Sequence, residues 1–248
     1  MKKPIIILAR IVAAGALTVL AQNAQSQNIT TGNLYQDSSA SAYQYGNLNY
    51  GNGSAGNQII LSGTGPNDKI TSFSFQFDYL NPSGGITGTP AGGETVDVTF
   101  YKNNGTPYNG YPTPGTVLWT SGTFSLGGGL GYTTGSLENF HQADINNGAG
   151  VIVPQDFTWV VTFSGLTGGE TAGLTLYSPP TVGSDALPNG DGWVNFGSGW
   201  VAGNNSGNPL EFGAVFNGVA APDSSCLSIS VMAVLAGFGW MKRSQRRA

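Results

Sequence analysis

The side chains able to do chemistry are few and scattered along the chain. A hydrolytic triad needs an imidazole to relay a proton, and His141 is the one histidine. Its neighbours Asn139, Phe140, Gln142 and Asp144 form no nucleophile motif, and Gly-x-Ser-x-Gly does not occur. With Cys226 as the sole cysteine, the chain lacks the nitrogen and sulfur ligands of a closed zinc site. Glu94, Asp97, Glu138 and Glu170 are available for the paired carboxylates of glycoside hydrolysis. Asp97 falls at an outward strand position, and Glu94 and Glu170 flank turns, so all three are expected to be solvated. Calcium takes carboxylate and carbonyl oxygens from loops, and the best local cluster for it is Asp185, Asn189 and Asp191. That spacing is not the EF-hand pattern, and an ordinary Asn-Gly turn is the alternative. Aromatic rings in Gly- and Asn-rich loops can stack on sugars, which makes Tyr108, Tyr111, Trp193 and Trp200 candidate glycan contacts. Packing of those rings into the fold is the competing reading.

The elements that would position these groups are strands. In residues 70–79, Phe73, Phe75, Phe77 and Tyr79 alternate with Ser72, Ser74, Gln76 and Asp78, the period of a half-buried strand. Residues 95–101 repeat the pattern with Val96, Val98 and Phe100. Further strands are expected at 117–119, 123–126, 151–153, 157–163, 174–177 and 211–216. Gly, Pro and Asn clusters such as 81–85, 103–107, 127–129 and 188–192 divide them. No helical periodicity long enough for a crossover helix separates the strands, so the sheets are expected to be antiparallel. Charged residues are 9% of the chain and Gly numbers 39, which also disfavours a helical enzyme. The reading is all-β: an antiparallel, jelly-roll-like β-sandwich over 58–220, preceded by a loose Asn-, Ser- and Gly-rich segment over 27–57 that carries one or two weak strands.

The two ends differ from this body. Met1-Lys2-Lys3 leads into an apolar stretch over 4–21, broken by Arg10, and then a polar run. This layout predicts a signal helix and secretory signal peptide over 1–26, cleaved after Ser26 or after Ala21. At the other end, 221–248, Pro222-Asp223-Ser224-Ser225 precedes an apolar helix over 226–241 and the basic stop Lys242, Arg243, Arg246 and Arg247. At 1.5 Å per residue that helix spans roughly 24 Å against a hydrocarbon core of about 30 Å, short enough for transient insertion. The basic cluster is expected to stay cytoplasmic, leaving the motif and the body on the exported side.

Of the thirteen acidic residues only Asp223 lies outside 27–221, and of the nine Lys and Arg only Lys69 and Lys102 lie inside it, a balance of about −10. Nucleic acid, which demands phosphate-neutralising cations, is set aside as a partner. Anionic lipid would also repel the body, so membrane attachment falls to the tail.

The Pro222-Asp223-Ser224-Ser225 motif, short apolar helix and terminal arginines together resemble the PEP-CTERM sorting signal of exosortase-processed proteins, in its Pro-Asp variant. The usual second Pro is absent, and Cys226 stands where Thr is common. The runs 98–101, 114–119, 157–166 and 174–184, with Trp193, Trp200 and 212–214, look like the β-sandwich bodies such proteins carry. The resemblance implies export in a Gram-negative, exopolysaccharide-making bacterium and processing by an exosortase-like enzyme. It also implies passage through the inner membrane to the cell surface or extracellular matrix, and a non-enzymatic body without cofactors, calcium excepted. A glycan-binding module facing exopolysaccharide is the alternative.

Overall fold

The computed structural model describes residues 32–38, 46–50, 52–63, 65–80, 93–125, 136–140, 145–177, 179–188, 191–203 and 210–220. The signal segment, the sorting motif Pro222 to Ser225, the apolar tail, the basic stop, His141 and Asn189 lie outside them.

The fold is all-β, in two antiparallel sheets. The first holds β1 (Gly32–Asp37), β2 (Gly46–Tyr50), β4 (Asn67–Leu80), β8 (Ser136–Phe140), β9 (Val151–Pro154), β11 (Thr171–Tyr177), β15 (Glu211–Phe212) and β16 (Ala214–Ala220). The second holds β3 (Gly53–Ile60), β5 (Thr95–Asn103), β6 (Pro114–Thr120), β7 (Phe124–Ser125), β10 (Asp156–Ser164), β12 (Ser184–Asp185), β13 (Gly192–Asn195) and β14 (Val201–Gly203). Hydrogen bonding runs β2–β11–β4, with β8 and β9 on β4, in the first sheet and β14–β13–β3–β10–β5–β6 in the second. Among the described residues the helical content is the 3-10 turn Asn146–Gly148, and no helix is long and apolar enough to cross a membrane.

Alternation explains which sides face inward. Phe73, Phe75, Phe77 and Tyr79 of β4 are buried, as are Val96, Val98 and Phe100 of β5 and Phe157, Trp159, Val161 and Phe163 of β10. Their rings meet between the sheets: Phe73 lies 5.0 Å from Phe100 and 5.7 Å from Trp119, Phe75 6.3 Å from Trp159, and Phe77 6.1 Å from Phe163. Phe216 of β16 closes the cluster, edge-on to Phe157 at 5.7 Å. Each such ring removes roughly 150–250 Å² from water, and paired rings add about 0.5–1.5 kcal/mol beyond that area.

β15 and β16 act as a wedge. β11 pairs with β4 only through Thr171–Leu174; beyond that point β15 pairs with the end of β11 and β16 with the first part of β4. Gly213 sits at the split, donating its N–H to Thr175 O at 2.9 Å and accepting from Gln76 N at 3.0 Å. A Cβ there would lie 2.7 Å from the Tyr177 ring, so the close approach itself requires glycine.

The structure differs from the sequence reading at the N-terminal side of the body. The segment 27–57, expected to be a loose leader with one or two weak strands, contributes β1, β2 and most of β3, and Thr31–Ala221 forms one compact unit. β3 is central, bonded to β10 along Gly53 to Ile60 and to β13 on its other edge. Its sequence, GSAGNQII, hides this role because Gly56 must be small: a Cβ there would come 1.8 Å from the Trp159 carbonyl oxygen.

Candidate functional site

Three carboxylates converge where the two sheets meet. Asp37 ends β1 opposite Ala214, Glu211 in β15 pairs with Tyr177, and Asp185 in β12 pairs with Ile59 of the other sheet. A bridge between Gln36 and Val182 holds the segment before β12 against β1, with Gln36 N donating to Val182 O at 3.0 Å. Asn57 of β3, fully buried, ties the layers together: its Nδ2 reaches Asp185 Oδ1 at 3.5 Å and its Oδ1 accepts from Phe212 N at 3.3 Å. Tyr35, also fully buried, donates its hydroxyl to Asp185 Oδ1 at 3.0 Å.

The electrostatics of this cluster are one-sided. Asp37 is 1% exposed, and neither of its carboxylate oxygens has a hydrogen-bond partner. Asp185 Oδ2 and Glu211 Oε2 are likewise buried without a donor. Desolvation first, then the charges of Asp185 and Glu211, push the Asp37 carboxyl up to about 8. Desolvation, then the Glu211 charge and a hydrogen bond with the Glu211 carboxyl, raise Asp185 to about 7, partly offset by the Tyr35 and Asn57 donors. Burial and the neighbouring Asp185 and Asp37 hold the Tyr35 hydroxyl well above its ordinary range. Neither lysine of the body is among the groups acting on these carboxyls.

A second carboxylate pair lies elsewhere in the fold. Glu94 and Glu170, expected to be solvated, are 1% and 8% exposed. Tyr79 donates to Glu170 Oε1 at 2.6 Å, and Thr167 N donates to Oε2 at 2.9 Å, closing the turn over 167–170. The Tyr79 hydroxyl, then the Thr167 N–H, hold the Glu170 carboxyl below its usual range, and Glu94 hydrogen-bonds the same group. Carboxyls in direct contact leave no space for a sugar between them, whereas glycoside hydrolysis needs about 5–9.5 Å of separation. This pair is a turn clamp. Asp97 is half-buried on β5 and accepts from Thr99 Oγ1 at 3.4 Å, apart from that pair. Glu138 lies on β8, opposite Phe75.

The candidate glycan contacts divide into two groups. Tyr108 and Tyr111 close a tight turn by reciprocal backbone hydrogen bonds of 2.9 and 3.0 Å, with Asn109 and Gly110 at φ of 51° and 88°. Tyr111 is exposed and Tyr108 half-buried. Trp193 is no loop residue: it lies on β13 beside Gly56, fully buried, with its indole N–H lacking an acceptor. A ring so enclosed is not available for stacking, which corrects the sequence expectation for this position. Trp200 is half-buried and meets Tyr101 edge-on at 6.1 Å. Tyr101 belongs to β5, three strands away from β13 at about 4.8 Å per strand. Trp200 therefore lies over the outer face of β3 and β10, where Thr158 and Val160 are buried although they point away from the inner core.

The calcium candidates are also separated in part. Asp185 joins Asp37 and Glu211, whose role no local sequence motif signals. Asp191 has Oδ1 buried without a partner, and the following Gly192 packs against Leu210, the residue before Glu211. No family model matches the chain, and searches of curated proteins and solved structures return no match.

Proposed function

We propose that the chain is an exported, non-enzymatic β-sandwich protein of the cell surface or exopolysaccharide matrix, released from a transient membrane anchor by an exosortase-like enzyme. The body is read as jelly-roll-like, because β2–β11–β4–β8 opposite β3–β10–β5–β6 follows the alternating strand order of two Greek keys. One observation carries the proposal: the last described strand ends at Ala220, just before Pro222, so cleavage at the motif would leave every described strand of the body in place. The test is intact mass of the protein recovered from the surface fraction of cells expressing the full chain, with and without residues 222–248. The expected species lacks both the leader and the basic tail, and deletion of 222–248 abolishes its retention at the membrane. A full-length chain in the cytosol with both ends intact overturns the reading.

Glycan binding is the second reading, favoured by Trp200 and Tyr101 meeting on the outer face of the second sheet. Retention of the full chain on exopolysaccharide in affinity electrophoresis, lost in Trp200→Ala and kept in Tyr111→Ala, would support that face. Unretarded migration of the wild type would remove it.

A further inference from the structure

We propose that Asp37, Asp185 and Glu211 form a site for one calcium-sized divalent cation that joins the two sheets. The inference is independent of how the protein is sorted. Asp37 is 1% exposed with both oxygens unpartnered, and Asp185 Oδ2 and Glu211 Oε2 are buried beside it without donors. Burying even one unpaired carboxylate costs several kcal/mol unless a proton or a cation answers it. The body offers only Lys69 and Lys102, and neither acts on this cluster. The donors here are all oxygen, which selects a hard cation, and calcium accepts irregular sets of six to eight oxygens where magnesium demands a near-ideal octahedron.

The three carboxylates come from β1, β12 and β15, far apart in sequence and divided between both sheets. The backbone bridge at Gln36 and Val182 and the Asn57 contacts to Asp185 and Phe212 bring their strands together before any ion arrives. Among the described residues no three His, Cys, Asp or Glu side chains stand where they could hold a metal ion without moving, so binding requires these carboxylates to shift inward. An entering cation would draw them in.

The test uses the purified full chain at neutral pH, with calcium at about 1 mM or with chelator, the range in which extracellular calcium modules bind. Calcium is expected to raise Tm by several degrees in a saturable way, and Asp37→Asn to abolish that rise while Asp97→Asn retains it. Where Asp37→Asn fails to fold, terbium luminescence on the wild type decides. Excitation of tyrosine should raise terbium emission severalfold through Tyr35, and added calcium should remove the signal. A Tm indifferent to both calcium and chelator, an undiminished rise in Asp37→Asn, or terbium emission that calcium does not displace would each overturn the site. An equal Asp37-dependent rise with magnesium would overturn its assignment to calcium.

Discussion

Tyr35 donates its hydroxyl to Asp185 Oδ1 across 3.0 Å, joining residues 150 positions apart. The bond links β1, at the margin of one sheet, to β12, which pairs with β3 in the other. Neither residue is exposed enough for water to replace the contact: Tyr35 is fully buried and Asp185 is half-buried by surface. Removal of the hydroxyl would leave a carboxylate already short of donors with one fewer.

Tyr35→Phe keeps the ring against Phe216, 6.1 Å away, and deletes only that donor. A hydrogen bond to a charged group contributes about 1.5–3 kcal/mol, so urea denaturation should show a loss of that order with an unchanged m-value.

Phe73 touches the rings of Phe75, Phe100, Trp119 and Phe216. Phe73→Ala should cost about 3–5 kcal/mol through lost burial and the cavity left behind. Phe196, 55% exposed, gives the contrast. Phe196→Ala should change stability by about 0.5 kcal/mol or less, measured by the same denaturation series.

Gly213→Ala places a methyl 2.7 Å from the Tyr177 ring, which can move only by disturbing β11. A loss of roughly 1–3 kcal/mol is expected. Gly56→Ala meets the Trp159 carbonyl oxygen at 1.8 Å and Val160 Cα at 2.7 Å, both backbone. It should be the more damaging of the two, reducing the yield of folded protein on expression.

Glu170 and Asp68 should give opposite pH signatures. The Glu170 carboxyl is held below 4.5 by the Tyr79 hydroxyl and the Thr167 N–H, so its contribution is present above that pH and is lost as pH falls through the folded value. Glu170→Gln should lower Tm at pH 7 and flatten its acid fall. Asp68 is fully buried with both oxygens unpartnered, and desolvation raises it above 3.8. Its stability contribution is present below 3.8 and fades as pH rises through the folded value. Asp68→Asn should therefore gain most over wild type at neutral and higher pH, and Tm against pH for the two variants checks both signs.

Strands with alternating large side chains were legible from sequence. β4, β5 and β10 carry their inward residues at every second position, and the turn clusters between strands bound them. β3 and β13 escaped because no alternation of large side chains marks them: Gly56 is small so that strands can approach, and Trp193, set among turn-forming residues, is fully buried beside it. The buried carboxylates were half legible. Asp185 and Asp191 stood out as loop acids, but Asp37 and Glu211 reach Asp185 through pairings between β1, β16, β11 and β15, which no local pattern encodes. The same long-range pairing brought Glu94 to Glu170 although each flanks a turn.

The wedge of β15 and β16 sets an order of events during synthesis. β16 fills the flank of β4 beyond β11 and, among the described residues, is the one named strand that pairs with β1, which otherwise has the single bridge at Val182. As the polypeptide emerges N-terminus first, the longest described strand keeps half of one edge bare, and β1 has only the bridge at Val182 to join, until residue 220 appears. Edges in that state recruit other chains. A nascent body is thus at its most aggregation-prone in the last moments before completion, and a holdase that occupied the β4 edge would have to leave as β16 docks.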